Sequence, residues 1–135
     1  EKDQSSFAAC ATSASFNEHL DVVNDDFFVA CLDIGHAEMR GSGEGAANMI
    51  RALGNRLQAL HIHDNDRRHD SHQIPFSMDI DFVKVVNALK KIGYDGWFTL
   101  EASEYPAEFT AETAQQAAND LAASARKLAD MFDKE

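Results

Sequence analysis

No run of about 18 apolar residues occurs anywhere in the chain, so no segment of it reads as a transmembrane helix. The amino terminus also lacks the charged, then apolar, then small-residue succession of a secretory signal. Cysteine is scarce: Cys10 and Cys31 are the only two, and their spacing matches no zinc motif and makes no disulfide framework. Cys31 stands inside an apolar run, where a small core residue is expected rather than a nucleophile. A reducing, cytoplasmic setting follows as an expectation. Basic residues are few, 12 Lys and Arg against 23 Asp and Glu, a net charge of −11. A surface of that sign repels phosphate backbones and anionic lipid, which argues against nucleic acid and membrane as partners.

The 135 residues, 44% of them hydrophobic, suffice for one domain with its own core, and no linker or low-complexity tract divides the chain. Residues 1–14 read as a loop. Ser15 and Glu18 have capping-box spacing ahead of a short helix bearing Phe16, Leu20 and Val23. "FFVACLDIGH" is an unbroken apolar run, the mark of a strand covered on both faces. "EGAANMIRALGN" predicts a helix with Ala46, Ile50 and Leu53 on one side and Gly54 as a left-handed cap. "LQALHIHD" predicts a second buried strand, followed by the polar loop "NDRRHDSHQIPFSM". "DIDFVKVVNALKKIGYDG" is the clearest helix, its stripe made by Phe82, Val85, Val86 and Leu89 and its end by Gly93. "WFTLEA" predicts a third strand, and Pro106 can open a last helix over 107–132. The expected strands are 27–33, 57–64 and 97–101. Strands alternating with helices mean βαβ units in a parallel sheet.

Four of the six histidines lie between His61 and His72, and each expected strand ends in an ionisable residue: Asp33, His61 and Glu101. In α/β folds ligands bind at the carboxyl ends of the strands. Side chains alternate along a strand, so Leu60 and Ile62 face one side and His61 the other; Phe98 and Leu100 flank the parity of Glu101 in the same way. Taken singly, each residue has a plainer use as a helix cap, a hydrogen-bonded imidazole or an ion-pair partner. Together, at three equivalent positions, they suit one divalent ion such as Mn²⁺, Co²⁺, Mg²⁺ or Zn²⁺.

The blocks "CLDIGHAEM", "LHIHDND…HDSHQIPF" and "IGYDGWFTLEA" resemble the carboxyl-terminal half of sugar phosphate isomerases/epimerases of the xylose-isomerase-like TIM barrel superfamily. The resemblance covers about residues 27–132. It implies a (βα)₈ TIM-barrel type of fold, with residues 1–135 as its carboxyl-terminal half: a partial barrel of three parallel strands, six to eight, with crossover helices. It implies a metal held by Glu, Asp, His and Glu, of which Asp33, His61 and Glu101 match the last three; Glu1 is no convincing match for the first. His36 and Arg67 fall where family epimerases bind substrate. Glu101 is the implied acid/base in an isomerase or epimerase reaction on a small carbohydrate, passing through a metal-chelated enediolate. Asp70 and His72 fall where endonuclease IV relatives hold a further metal, so a metal-dependent phosphodiesterase is the alternative; in sugar-active members the same residues belong to a loop. A third reading is an inactive fragment completed by a partner chain, and a homo-oligomer or a complementing chain is the expected protein partner. The family's Pro-Gly-x-Gly is replaced here by Pro75-Phe76-Ser77-Met78, so this loop's backbone must differ locally.

Overall fold

The computed structural model describes residues 12–39 and 43–134. Most of the loop expected over 1–14, and Cys10, lie outside them. Helix α1 (Ser13–Val23) begins before the expected Ser15. Thr12, in an extended backbone, caps it by accepting the Ser15 N–H, and the Ser15 side chain answers the Thr12 backbone. The capping box is thus Thr12/Ser15 rather than Ser15/Glu18, one turn earlier, because the hydroxyl that sits in extended backbone is the one free to turn back onto the helix.

Strand β1 (Ala30–Asp33) is shorter than the apolar run that predicted it. Phe27 is 98% exposed, and Phe28 and Val29 are nearly half exposed. Only Ala30 and Leu32 are buried, while Cys31 is exposed, which corrects the expectation of a core cysteine and of a strand covered on both faces. Burial alternates because one face of the strand meets the helices and the other has no layer over it among the described residues. β1 pairs in parallel with β2 (Leu57–His61), with Leu32 opposite Leu60 and Asp33 opposite His61. Between the strands run α2 (Ile34–Glu38), which the sequence did not announce, and α3 (Ala46–Leu53). Ala46, Ile50 and Leu53 are buried on one face of α3 as expected. Gly54 has φ 56° but ψ −132°, so it leads into a single 3₁₀ turn rather than forming a left-handed cap.

Helix α4 (Phe82–Ile92) agrees closely with its pattern. Asp81 accepts the Lys84 N–H at 3.2 Å, Gly93 closes the helix in left-handed backbone, and Phe82, Val85, Val86 and Leu89 are buried. α4 packs between α3 and the last helix.

The third expected strand is reduced to one isolated parallel bridge, Ile62 to Leu100, just past the end of β2, and the sheet of the described residues has two strands. Ile62 donates to the Thr99 carbonyl and Glu101 donates to the Ile62 carbonyl, both at 2.9 Å. The segment nevertheless runs beside β2. Gly96 lies so close to the Gln58 carbonyl that a Cβ there would stand 2.7 Å from it, and Leu100 meets Ile62 four residues further along both segments. The Trp97 carbonyl, which a continued parallel ladder would aim at the Leu60 N–H, accepts the Tyr94 hydroxyl at 3.0 Å. A side-chain donor thus takes the next rung. The last helix also begins later than expected. Pro106 sits inside the one-turn α5 (Glu104–Ala107), and α6 runs Ala114–Asp133. Between them Thr113 Oγ1 accepts the Thr110 N–H at 3.0 Å, a local side-chain bond that competes with helix.

Candidate metal centre

Asp33 and His61 end adjacent parallel strands and are register partners, and Glu101 follows the residue bridged to Ile62. Leu60 and Ile62 are buried toward the helices while the His61 side chain is 47% exposed, so alternation turns His61 to the opposite face, as its parity requires. One ligand atom from each of Asp33, His61 and Glu101 falls within 4.8 Å of the others. His61 Nδ1 and Glu101 Oε2 are 2.5 Å apart. Glu101 Oε2 is buried, and no N–H or O–H reaches it in hydrogen-bonding geometry. Two carboxylates and an imidazole, one oxygen among them unsatisfied, are a donor set that fits a divalent cation.

A second group lies beside the first. Asp70 Oδ1 is 3.0 Å from His36 Nε2, 3.1 Å from His72 Nε2 and 3.8 Å from His63 Nε2. His72 Nδ1 lies 2.9 Å from the Glu101 carbonyl oxygen, and the His63 and His72 rings stack 4.0 Å apart. These four residues also bring one ligand atom each within 4.8 Å. Asp33 joins the groups: its Oδ1 is 3.2 Å from His63 Nε2 and its Oδ2 is 3.4 Å from His36 Nδ1. It caps α2 as well, accepting the His36 backbone N–H at 2.8 Å. The plain use of a strand-end aspartate as a cap and its place in the cluster coexist. Burial penalises the Asp33 charge, but the contacts with His63 and His36 outweigh it and hold the carboxyl below its ordinary range. Burial likewise disfavours a charged His63, and the Asp33 carboxylate more than offsets it, raising the imidazole's pKa.

The polar residues packed into "HIHDND" divide between site and scaffold. Asp64 is fully buried and accepts N–H groups from Asn65, Met78 and Ile80 at 2.9–3.1 Å. Asn65 donates to the Gly35 carbonyl at 3.0 Å and accepts the Arg67 N–H at 2.8 Å. Asp66 accepts the N–H groups of Arg68 and His69, and these hold its carboxyl well below the usual range. The loop after β2 is therefore knitted by side chains where backbone pairing stops.

His36 lies in the histidine group with Asp70. Arg67 is turned elsewhere: its guanidinium donates to Glu38 Oε2 at 2.9 Å, beside a shallow groove lined by Glu44, Asn48, Arg51 and Lys84. His63 received no role from the sequence. The signal was the His-x-His spacing, which puts His63 on the same side of the extended chain as His61.

The sequence profile described as "Xylose isomerase-like TIM barrel" matches residues 4–133. The chain belongs to this family. An uncharacterized protein of Methanocaldococcus jannaschii is 35% identical over 70 residues, covering 52% of this chain and 24% of that protein. An inosose dehydratase of Lacticaseibacillus casei is 25% identical over 114 residues, covering 72% of this chain and 38% of that enzyme. The crystal structure of a D-tagatose 3-epimerase-like protein superposes with a TM-score of 0.55 at 25% identity, over 89% of this chain and 43% of that one. The chain thus spans under half the length of each of these relatives. Its parallel β1–β2 pair, with helices between, accords with the xylose isomerase-like barrel type.

Proposed function

We propose that the chain carries part of the active site of a divalent-metal-dependent enzyme that isomerises or epimerises a small sugar, sugar phosphate or polyol. The observation that carries this reading is the convergence of Asp33, His61 and Glu101 at the carboxyl ends of parallel segments. The ion would be held by these three residues, and as a Lewis acid it would make the hydrogen between a substrate carbonyl and hydroxyl acidic. Glu101 is the acid/base in this reading. Its side chain is 39% exposed on the face of the sheet it shares with the half-exposed His61, so a ligand there could reach its carboxylate. His36, held between Asp33 and Asp70, would orient a substrate oxygen in this reading. Arg67, half exposed, would reach substrate by leaving Glu38, whose largely buried carboxylate keeps the Ala46 N–H as a partner.

Proton removal next to a carbonyl is also the first step of a dehydration, and one similar protein is named an inosose dehydratase. Product analysis in D₂O separates the two outcomes. Isomerisation or epimerisation leaves one deuterium on carbon in an otherwise intact sugar, and dehydration loses a hydroxyl as water. With Mn²⁺ and a panel of ketoses, aldoses and inososes, Glu101→Gln should lower exchange at carbon by about 10²–10⁴-fold. Unchanged exchange in that variant would remove Glu101 from the chemistry. The group of His36, His63, Asp70 and His72 favours a second reading, a metal-dependent phosphodiesterase, since it adds donors for a further ion. The net charge of −11 opposes it.

A further inference from the structure

His63 is among the most completely buried side chains described, with 0% exposure, yet its Nε2 has no hydrogen bond of good geometry. Two acceptors stand in front of that atom: Asp33 Oδ1 at 3.2 Å and Asp70 Oδ1 at 3.8 Å. Asp70 stands beyond hydrogen-bond distance and Asp33 within it but out of hydrogen-bonding geometry, so an Nε2–H would face both oxygens and bond fully to neither. The two oxygens belong to the two different groups of ligand-type residues. The ring itself is fixed from three sides. His72 stacks on one face at 4.0 Å. The Asp64 carbonyl lies 3.5 Å from Nδ1. The backbone of Gly35 occupies the remaining side so closely that a Cβ there would fall 2.0 Å from His63 Cε1 and 2.2 Å from Nε2. A buried, stacked ring has nowhere to retreat, so the contact requires glycine at position 35.

We infer that His63 is a positioning residue for the metal centre: seated on Gly35, it directs its Nε2–H between Asp33 and Asp70 and fixes the Asp33 carboxylate for the ion. The inference rests on the reading of Asp33 as a metal ligand. Residues behind the ligands of a metal site commonly govern affinity by about 10- to 100-fold without touching the ion.

The test is calorimetric titration of the protein and its variants with Mn²⁺, with thermal unfolding followed in parallel. His63→Ala should weaken Mn²⁺ binding by about 10- to 100-fold while the number of ions bound stays the same. His63→Gln, whose terminal amide reaches the place of Nε2, should restore most of the affinity; His63→Asn, whose amide stops at the place of Nδ1, should not. Gly35→Ala leaves every polar group in place and should reproduce the loss by displacing the ring. In the His63→Ala background the same Gly35→Ala change should have no further effect, because its clash partner is gone. A His63→Ala protein that binds Mn²⁺ as tightly as the parent overturns the inference. So does one that loses a whole ion while the remaining ion binds unchanged, which would make His63 a ligand. A parent protein that binds no Mn²⁺ defeats the metal reading itself, and the role of His63 with it.

Discussion

Single residues in this chain do two jobs at once. Asp33 caps α2 through the His36 N–H and joins two groups of ligand-type side chains. Tyr94 fills the core at 5% exposure and satisfies the Trp97 carbonyl through its hydroxyl. Burial, then the nearby Cys31 and Asp95, push the Tyr94 hydroxyl's pKa up to about 12. A raised pKa in the folded state means that the folded protein holds its proton more tightly than the unfolded chain does. Its contribution to stability is therefore complete below the unfolded value near 10 and is lost as pH climbs from there to about 12. Urea unfolding of the parent and of Tyr94→Phe should show the variant less stable by about 1 kcal/mol at pH 8. That gap should close between pH 10 and 12. A gap that stays constant over this range would mean that the hydroxyl does not titrate with folding.

Among the elements, the helices follow their sequence signals more faithfully than the strands do. α4 carries its own start in Asp81, its own stop in Gly93 and an apolar stripe at helical spacing. Each of those determinants acts within one turn. Gly93, at φ 66° and ψ 39°, is where a Cβ is penalised by the backbone itself. Gly93→Ala should lower stability by about 1–2 kcal/mol and Gly93→Asn by less, read from chemical denaturation midpoints. Equal midpoints for parent and Gly93→Ala would show that the helix end relaxes out of the left-handed region. Strand edges are set by partners instead. Val29 and Cys31 had the composition of a buried strand, but exposure on that face depends on what lies across it, which local composition does not encode. The segment 97–101 kept its parallel direction and lost most of its ladder, and its Trp97 carbonyl accepts the Tyr94 hydroxyl instead of a strand N–H. α6 started late for a related reason: the Thr110–Thr113 turn holds the backbone that the apolar spacing would have continued as helix.

Over the whole molecule, charge separates the two functional readings. Three of the cations are already paired, Arg67 with Glu38, Arg56 with Asp21 and Lys84 with Asp81, within a net charge of −11. Fluorescence anisotropy with a labelled DNA duplex at physiological salt should show no saturable binding. A complex that weakens steeply as salt rises would restore the phosphodiesterase reading. The sequence by itself determined the alternation of strands and helices, the limits of α4, and the parity that sends Asp33, His61 and Glu101 to one face. Period and capping are properties of a few neighbouring residues. Only the tertiary structure decided that Asp33 touches His36 and His63 as well, that Arg67 turns to Glu38, and that His63 lies on Gly35. Apart from the local Asp33–His36 pair, those contacts join residues 28 to 30 positions apart, and their geometry is fixed by how β1, α2 and the loop after β2 pack together, for which no short stretch of sequence carries a signal.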